Sequence, residues 1–333
     1  MYYRNKISSL QSLFGSEDVE LREKSLRVGP AEYPIVNDVI ILASPGLRPP
    51  SPLGRGAGGE APFAEDIQYT FGAEWREHRQ ILPEHAREFA QYVDILNLSS
   101  LAGTRVCDLG CGSGRWSTFL KDSCRELVLV DFSEAIFVAR ENLRGTDHCL
   151  FFKGDLTKLP FADNFADLIV CLGVLHHLPV PCLEAVRNLK KYAPRLLIFL
   201  YYALDNRPIY FRFLLKAVTA VRLVLARVRH PVFRKVISVL GTVFLYLPLV
   251  WLGYLLELFG LGRYVPLFEF YRHKSFKRIE QDVYDRFFTR IEQRVSRAEI
   301  MGLAADFAAV KVSDQIPYWH FLCSRQAPVP DRP

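Results

Sequence analysis

Apolar and polar positions follow two different rhythms along the chain from residue 104 onward. Short apolar runs predict buried strands, and the stretches between them have the 3.6-residue apolar spacing of helices. The predicted strands are Arg105–Leu109, Glu126–Val130, Cys149–Lys153, Phe165–Leu172, Arg195–Tyr201, Ala309–Ser313 and Tyr318–Cys323. The predicted helices are Ser113–Lys121, Glu134–Leu143, Leu183–Lys191 and Ser296–Phe307. Apolar strands separated by helices predict a doubly wound α/β fold, in which helices cover both faces of a parallel sheet.

Two segments before this pattern differ from it. Residues 1–42 contain candidate strands at Val19–Leu21 and Ser25–Val28 and predict a small β-rich N-terminal module. Residues 43–66 are rich in proline and glycine, which is typical of an irregular linker. A helix is predicted after the linker, and its apolar side is formed by Trp75, Ile81, Phe89, Tyr92 and Ile95.

An apolar insert at residues 208–270 divides the α/β domain into residues 67–207 and 271–325. Residues 236–256 carry no charge, and as a helix they would extend about 31 Å, the thickness of a bilayer core. Pro248 predicts a kink in that helix. The segment before it is a basic amphipathic stretch suited to an anionic membrane surface. Its basic face is formed by Arg212, Lys216, Arg227, His230 and Arg234.

Composition narrows the class of protein without defining it. With 333 residues, 50% of them hydrophobic, the chain can bury a substantial core. A net charge of +6 is too mild to indicate a nucleic-acid-binding protein. The seven cysteines include no Cys-x-x-Cys pair, so we expect reduced buried thiols rather than disulfides or a metal site. The N-terminus lacks a long apolar segment, so no secretory signal is predicted, and a cytoplasmic protein is expected.

The candidate chemistry begins with a glycine-rich turn between the first predicted strand of the α/β domain and its helix. Gly110, Gly112 and Gly114 have the spacing Gly-x-Gly-x-Gly, and Asp108 lies two residues before the first of them. Glycines let a ligand approach the backbone, and a helix N-terminus offers free N–H groups. A carboxylate at Asp108 would repel a pyrophosphate but accept a cationic amino-acid group, which disfavours a nicotinamide dehydrogenase.

Two further acidic residues follow the next strands. Asp131 ends the strand after the glycine turn, where a nucleoside ribose lies in such sheets, and its carboxylate can accept from both ribose hydroxyls. Asp155 follows the third strand and could accept from an adenine amine, with Leu156 against the ring. These residues predict a nucleoside site along the carboxyl ends of the strands.

The series DLGCGSG, LVLVDFS, GDLTKLPFADNFADLIV and GVLHHL resembles class I S-adenosylmethionine-dependent methyltransferases of the ubiquinone and menaquinone biosynthesis type. The resemblance covers residues 100–205 and implies a Rossmann-like seven-stranded sheet and S-adenosyl-L-methionine as cofactor. It implies that Asp108, Gly110, Gly112 and Gly114 line the methionine part. It places Asp131 and Phe132 at the ribose, Asp155 and Leu156 at the adenine, and Cys171, after the fourth strand, near the sulfonium. Residues 1–42 weakly resemble zinc-ribbon-like modules, but they contain no cysteine.

His176 and His177 have two interpretations. One of them could be a general base near the methyl acceptor, and the alternative is that both pack and cap the helix after the fourth strand. Methyl transfer from a sulfonium is a direct displacement, so positioning and exclusion of water can supply most of the acceleration without a base. Arg290 and Arg294 could approach an acidic acceptor, or lie on a solvated helix face.

The position of the insert constrains its relation to a membrane. The last two strands must join the same sheet as the first five, so a single membrane crossing is excluded. Residues 209–266 are therefore expected either to lie at a membrane surface or to form a helical cap on the domain. An apolar insert beside the cleft favours a lipid-like small-molecule acceptor. The alternatives are a soluble sugar or natural-product acceptor, and a nonenzymatic cofactor-binding scaffold.

Overall fold

Eleven strands form one sheet in the computed structural model, which describes residues 1–42, 80–228 and 230–326. In chain order they are β1 (Val19–Leu21), β2 (Ser25–Val28), β3 (Ala31–Val36), β4 (Val39–Ile41), β5 (Arg105–Leu109), β6 (Glu126–Asp131), β7 (Cys149–Lys153), β8 (Leu168–Leu172), β9 (Arg195–Phe199), β10 (Ala309–Val312) and β11 (His320–Ser324). The predicted linker at residues 43–66 and the helix position Trp75 lie outside the described residues.

The last seven strands confirm the predicted doubly wound, Rossmann-like sheet. Their order is β7-β6-β5-β8-β9-β11-β10. Strands β5 to β9 pair in parallel, whereas β11 runs antiparallel to both β9 and β10. Strands β5, β7 and β8 are buried along their whole length, as expected for strands covered on both faces. The chain leaves β5 toward β6 on one side and later returns to β8 on the other, so the edge beside β5 is a topological switch point.

The N-terminal strands extend this sheet beyond β7. Strand β4 pairs in parallel with β7, with Ile40 opposite Phe152. The first helix, α1 (Ile7–Phe14), packs under these strands, and the N–H of Ala162 donates to the carbonyl of Leu13 at 2.9 Å. The β-rich segment predicted at residues 1–42 is therefore continuous with the central sheet.

The remaining helices cover the sheet and form the insert. In chain order they are α2 (Glu84–Tyr92), α3 (Ser117–Leu120), α4 (Ala135–Asn142), α5 (Cys182–Leu189), α6 (Ile209–Leu225), α7 (Pro231–Gly241), α8 (Leu247–Glu257), α9 (Phe268–Tyr271), α10 (Phe276–Phe288) and α11 (Arg297–Met301). Helix α3 begins four residues later than predicted, because Gly114 has a φ of 73°, which a helix cannot contain. Ser296 and Glu299 form a capping box at the start of α11.

The second half of the insert is one long helical segment, Pro231–Glu257, whose hydrogen-bonding pattern changes in the middle. A π-helical stretch, Thr242–Tyr246, joins α7 to α8, and Pro248 lies in the first turn of α8. Proline has no N–H to donate, so a change of register just before it relieves the predicted kink. Among the described residues, Pro231–Glu257 is the one helix with the length and apolar composition of a membrane span. Only 28% of its most apolar window is buried.

The buried side of the insert packs on α10. Its core consists of aromatic and aliphatic side chains from α8, α9, α10 and the π-helical stretch: Tyr246, Val250, Val265, Phe268, Tyr271, Ile279, Val283, Tyr284, Phe287 and Phe288. Strands β10 and β11 follow the insert and lie in the same sheet as β9. Both ends of the insert therefore return to one side of the molecule, as predicted.

Close packing at Gly253 provides a test of the insert's architecture. A Cβ at this position in α8 would overlap the ring of Phe268, which is 1% exposed. We expect Gly253→Ala to destabilise the protein by about 1–3 kcal/mol, because a buried ring must move. Gly302→Ala is the control, since a Cβ there has no atom within 4 Å. Thermal unfolding measures both; equal midpoints for the two variants would contradict this packing.

Candidate functional site

A cavity of about 1350 Å³ lies at the carboxyl ends of the central strands and extends under the insert. Its floor is formed by the residues that follow β5, β6, β7, β8 and β9, and its other walls come from α6, the π-helical stretch, α9 and α10. Ligands of doubly wound sheets bind at this edge, beside the switch point. Eight of the eleven residues predicted for the site belong to the lining or lie in the turn that forms it.

The glycine turn is fixed to the neighbouring strand by backbone hydrogen bonds. The N–H groups of Gly110 and Cys111 both donate to the carbonyl of Val130, at 2.7 and 3.1 Å. Gly110 has a φ of 79° and lines the cavity, and a Cβ at this position would overlap the side chain of Val174. Gly112 and Gly114 continue the turn with positive φ, outside the lining. The turn therefore presents backbone to the cavity, as the spacing predicted.

Asp131 lies at the end of β6 and lines the cavity. One carboxylate oxygen accepts from the N–H of Gly112 at 2.8 Å, and the other accepts from the N–H and hydroxyl of Ser133 at 2.8 and 2.7 Å. Burial raises the pKa of this carboxyl, while the bonds from Ser133 and Gly112 oppose the rise. Each carboxylate oxygen has two acceptor directions, so one direction remains for a ligand hydroxyl, on the oxygen that accepts from Gly112.

Asp108 lies behind the turn rather than in the cavity lining. It is 1% exposed, and its carboxylate accepts from the hydroxyl of Ser117 at the start of α3. Burial raises its pKa to about 7, with a smaller contribution from Asp131 in the same direction. The described contacts make Asp108 a link between β5 and α3 across the glycine turn.

The predicted adenine-side residues and Phe132 are in the lining. Asp155, just after β7, accepts from the N–H and hydroxyl of Thr157 at 2.9 and 2.7 Å. Leu156 is buried beside it. Asp131, Phe132, Asp155 and Leu156 thus come together along the ends of two adjacent strands.

Cys171 is placed differently from its prediction. Strand β8 extends to Leu172, so Cys171 lies inside the strand and not after it. Its side chain is fully buried in the core, and burial raises the pKa of its thiol well above the ordinary value. Cys171 is absent from the described lining, and Leu172, Gly173 and Val174 occupy the cavity wall at this point.

The two histidines have different surroundings. His177 lines the cavity, and its Nδ1 lies 2.8 Å from the carbonyl of Ile291. A carbonyl only accepts, so Nδ1 carries the proton and Nε2 is the accepting nitrogen of the neutral ring. His176 is fully buried outside the lining and stacks on Tyr201 with ring centres 3.9 Å apart. Burial holds the pKa of His176 well below its ordinary range, which suits a packing role.

The wall opposite the glycine turn is a buried network of charged and tyrosine side chains that sequence reasoning missed, apart from Arg294. It includes Tyr201, Tyr246, Tyr271, Arg278, Asp282, Asp285, Arg286, Glu292 and Arg294. Tyr271 donates to Asp282 at 3.0 Å, and Tyr201 donates to Asp285 at 3.3 Å. Four of these residues share one face of α10 at helical spacing: Arg278, Asp282, Asp285 and Arg286. That spacing is the sequence signal that indicates a charged helix face here. Arg290 is half-buried outside the described lining.

Part of the chain matches known methyltransferases. Residues 106–193 match the model of a methyltransferase domain family. A demethylmenaquinone methyltransferase of Clavibacter sepedonicus is 38% identical over 73 residues, which are 22% of this chain and 30% of that protein. Residues 106–193 therefore carry the class I S-adenosylmethionine-dependent methyltransferase domain predicted from the sequence. The chain spans less than a third of that curated relative, and the zinc-ribbon-like resemblance of residues 1–42 finds no support in these matches.

Solved structures with similar folds include methyltransferases. Phosphoethanolamine N-methyltransferase 1 of Haemonchus contortus, in complex with phosphoethanolamine and S-adenosylhomocysteine, is 20% identical with a TM-score of 0.35. That match covers 40% of this chain and 32% of the other. The mitomycin 7-O-methyltransferase MmcR is 16% identical with a TM-score of 0.44, over 78% of this chain and 60% of the other.

The raised pKa of Asp108 gives a pH-dependent prediction. The folded protein holds this proton more tightly than the unfolded chain, so the contribution of Asp108 to stability falls as pH rises from 3.8 to about 7. Asp108→Asn keeps an acceptor for Ser117 but cannot ionise. We expect this variant to exceed the parent in stability by about 2–4 kcal/mol at pH 8 and by much less at pH 5.

The measurement is thermal unfolding at both pH values without added cofactor. Asp122→Asn serves as the control, because the side chain of Asp122 is 77% exposed, and it should change neither midpoint. A variant at Asp108 that is less stable than the parent at pH 8 would contradict the interpretation.

Proposed function

We propose that the protein transfers a methyl group from S-adenosyl-L-methionine to a small acceptor that has a lipophilic part. The observation that carries this proposal is the continuity of one cavity from the glycine turn to the apolar helices of the insert. A cofactor at the strand ends and an acceptor under the insert would meet within that space. The methyltransferase domain match at residues 106–193 supports the donor half of the proposal.

The residues at the strand ends suit the proposed cofactor chemically. Asp131 would accept from the ribose hydroxyls, with Phe132 beside it, and Asp155 and Leu156 would receive the adenine. The backbone of the turn from Gly110 to Gly114 would hold the methionine part. Asp108 would act through Ser117 by fixing the turn, instead of by direct contact, because it lies outside the described lining.

The cofactor supplies an activated methyl group on a cationic sulfur, so this chain's residues mainly position the acceptor and exclude water. The insert covers the cavity from the side opposite the strands, which limits the access of water to the reacting centre. If the acceptor must lose a proton, His177 is the cavity residue that would accept it, and the bond from its Nδ1 to the carbonyl of Ile291 would hold the ring in place. Cys171 and Cys111 are unsuited to nucleophilic roles because burial raises the pKa of both thiols.

A lipophilic acceptor is supported by the insert side of the cavity. Aliphatic and aromatic side chains of the insert form this wall: Phe211, Leu214, Leu215, Val218, Leu245, Leu249, Val265 and Leu267. A soluble sugar would leave such a wall without a complementary partner. Turnover of water-soluble acceptors with no stimulation by lipid would favour the sugar or natural-product alternative. Cofactor binding without any turnover would favour a scaffold.

The outer surface of the insert supports peripheral contact with an anionic membrane at the cytoplasmic face. Phe244, Trp251 and Phe259 are 74%, 71% and 73% exposed. Residues 209–263 contain eight lysines and arginines and one acidic residue. Apolar side chains among basic residues match the acyl and headgroup layers of such a surface. Two full crossings would carry Arg212, Lys216 and Arg227 into or across the bilayer, at about 2.5–3.5 kcal/mol for each charge at its centre.

The cofactor assignment predicts the behaviour of Asp131→Ala. Loss of the carboxylate removes a charge-assisted hydrogen bond to the ribose, so affinity for S-adenosyl-L-methionine should fall about ten- to a hundredfold. Calorimetric titration measures this affinity, with Asp122→Ala as the exposed control. Transfer of labelled methyl into a lipid extract should fall in parallel. Unchanged affinity in Asp131→Ala would refute the ribose assignment.

The membrane assignment predicts a loss of vesicle binding in Trp251→Ser and Phe259→Ser. Insertion of each ring stabilises binding by about 1.5–3 kcal/mol through burial of apolar surface. Each single variant should therefore bind at least about tenfold more weakly. Flotation with phosphatidylcholine vesicles, with and without phosphatidylglycerol, measures binding and its dependence on anionic lipid. Met301→Ser, an exposed apolar site outside the insert, should float like the parent. Flotation unaffected by either insert variant would exclude this surface.

A further inference from the structure

The acceptor side of the cavity contains more cations than carboxylates. Away from Asp131, Asp155 and Lys191, the described lining contains the cations Arg115, Arg207, Arg222, Arg278, Arg286 and Arg294 and the carboxylates Glu269, Asp282, Asp285 and Glu292. Charges inside a protein are costly unless an opposite charge compensates them. The excess of two cations is therefore a property that a ligand of this cavity would be expected to balance.

Most of these cations are held by the protein's own acceptors. Arg278 donates to Glu88 at 3.1 Å and also binds Asp282, one turn along α10. Arg294 donates to Glu292 at 2.8 Å. Arg222 donates to the carbonyl of Thr289 at 2.8 Å, with Glu292 4.0 Å from its Nε. These three guanidinium groups are therefore fixed by intramolecular bonds.

Arg286 differs from Arg222, Arg278 and Arg294. Its guanidinium carbon lies 5.7 Å from the ring centres of Tyr201 and Tyr271 and 5.8 Å from that of Phe270. Among the ion pairs of the described residues, none joins Arg286 to a carboxylate within 4.0 Å. The residue lies in the cavity lining and is half-buried by these rings. Tyrosines 201, 246 and 271 and Asp282 raise the pKa of Arg286, so the group is charged at any relevant pH.

The carboxylates close to Arg286 do not cancel this charge. Asp282 binds Arg278 and accepts from Tyr271. Asp285 accepts from Tyr201 at 3.3 Å, and burial raises the pKa of its carboxyl, which favours the neutral acid. Glu292 is paired with Arg294. Arg286 therefore presents a positive group, oriented by aromatic rings, to the cavity. The insert lines another side of this cavity with apolar side chains.

We propose that Arg286 is a specificity-determining residue that binds an anionic oxygen group on the methyl acceptor, so that the acceptor is an anionic amphiphile. A carboxylate or a phosphate would accept from the guanidinium, while the apolar part of the acceptor would lie along α6 and the π-helical stretch. This inference rests on the proposed function and names its substrate class. It assigns Arg286 to binding of the acceptor and not to binding of the cofactor.

The test uses ten-carbon probes of equal chain length and different head groups. Decanoate and decyl phosphate carry the proposed anionic oxygens, whereas decanol is neutral and decyltrimethylammonium is cationic. Calorimetric titration of the full-length protein should give at least about tenfold tighter binding of one or both anionic probes than of decanol. A preference for decanoate or for decyl phosphate would identify the kind of anionic group. Equal binding of decanol, or no binding of either anionic probe, would overturn the proposal.

Variants connect the preference to the residue. Arg286→Met should remove the preference for the anionic probe, and Arg286→Lys, which keeps the charge but not the planar fork, should retain part of it. Arg212→Met is the control, since Arg212 is an exposed basic residue of the insert outside the cavity lining. An anionic preference that persists in Arg286→Met, or falls equally in Arg212→Met, would overturn the assignment.

Titration with S-adenosyl-L-methionine separates this inference from the proposed function. All three variants should bind the cofactor within about twofold of the parent. A parent that binds cofactor but shows no anionic preference would refute the role of Arg286 alone. A parent that fails to bind cofactor would refute the proposed function itself.

Discussion

The geometry of the candidate site depends on how the glycine turn is attached to β6. The carbonyl of Val130 accepts from two N–H groups of the turn, and the carboxylate of Asp131 accepts from a third, at Gly112. Three bonds to consecutive strand residues thus fix a segment in which every second residue is a glycine. Because Asp131 also lines the cavity, the group proposed to bind ribose is the same group that orders the turn beside it.

The sequence predicted those parts of the fold in which the position of one strand restricts the positions of the next. Apolar runs bounded by turn residues identified the central strands to within a few residues, and strict βα alternation left few possible topologies. The acidic residues at strand ends were then forced to one edge of the sheet. Cys171 was wrongly placed after the fourth strand, although the strand predicted at Phe165–Leu172 already includes it and β8 ends at the same residue, Leu172. The site roles themselves remain predictions.

The acceptor side could not be predicted in the same way. Its charged residues lie on α10, after an insert of about sixty residues, and face strand ends that are distant in sequence. The pattern of α10 gave an amphipathic helix with a charged face, which is usually solvated. The charged face of α10 lies inside the protein only because α6 to α9 pack over it. No local signal in the sequence predicts that packing. Arg286 and Asp282 are buried by tertiary structure alone.

The insert has a polarity that is unusual for a helical cap. Its outer surface contains Phe244, Trp251 and Phe259, whereas Arg222 and Arg234 are 6% and 3% exposed within it. A cap designed only to exclude water would show the reverse distribution. The carbonyls of Thr289 and Val228 accept from these two arginines, so the exposed aromatic side chains are what an apolar medium outside would explain, and the excess of cations in the cavity lining is what an anionic ligand inside would explain. An acceptor with an acyl-like part and an anionic end would be compatible with both. Its acyl-like part suits an apolar medium outside the insert, and its anionic end suits the cations of the cavity.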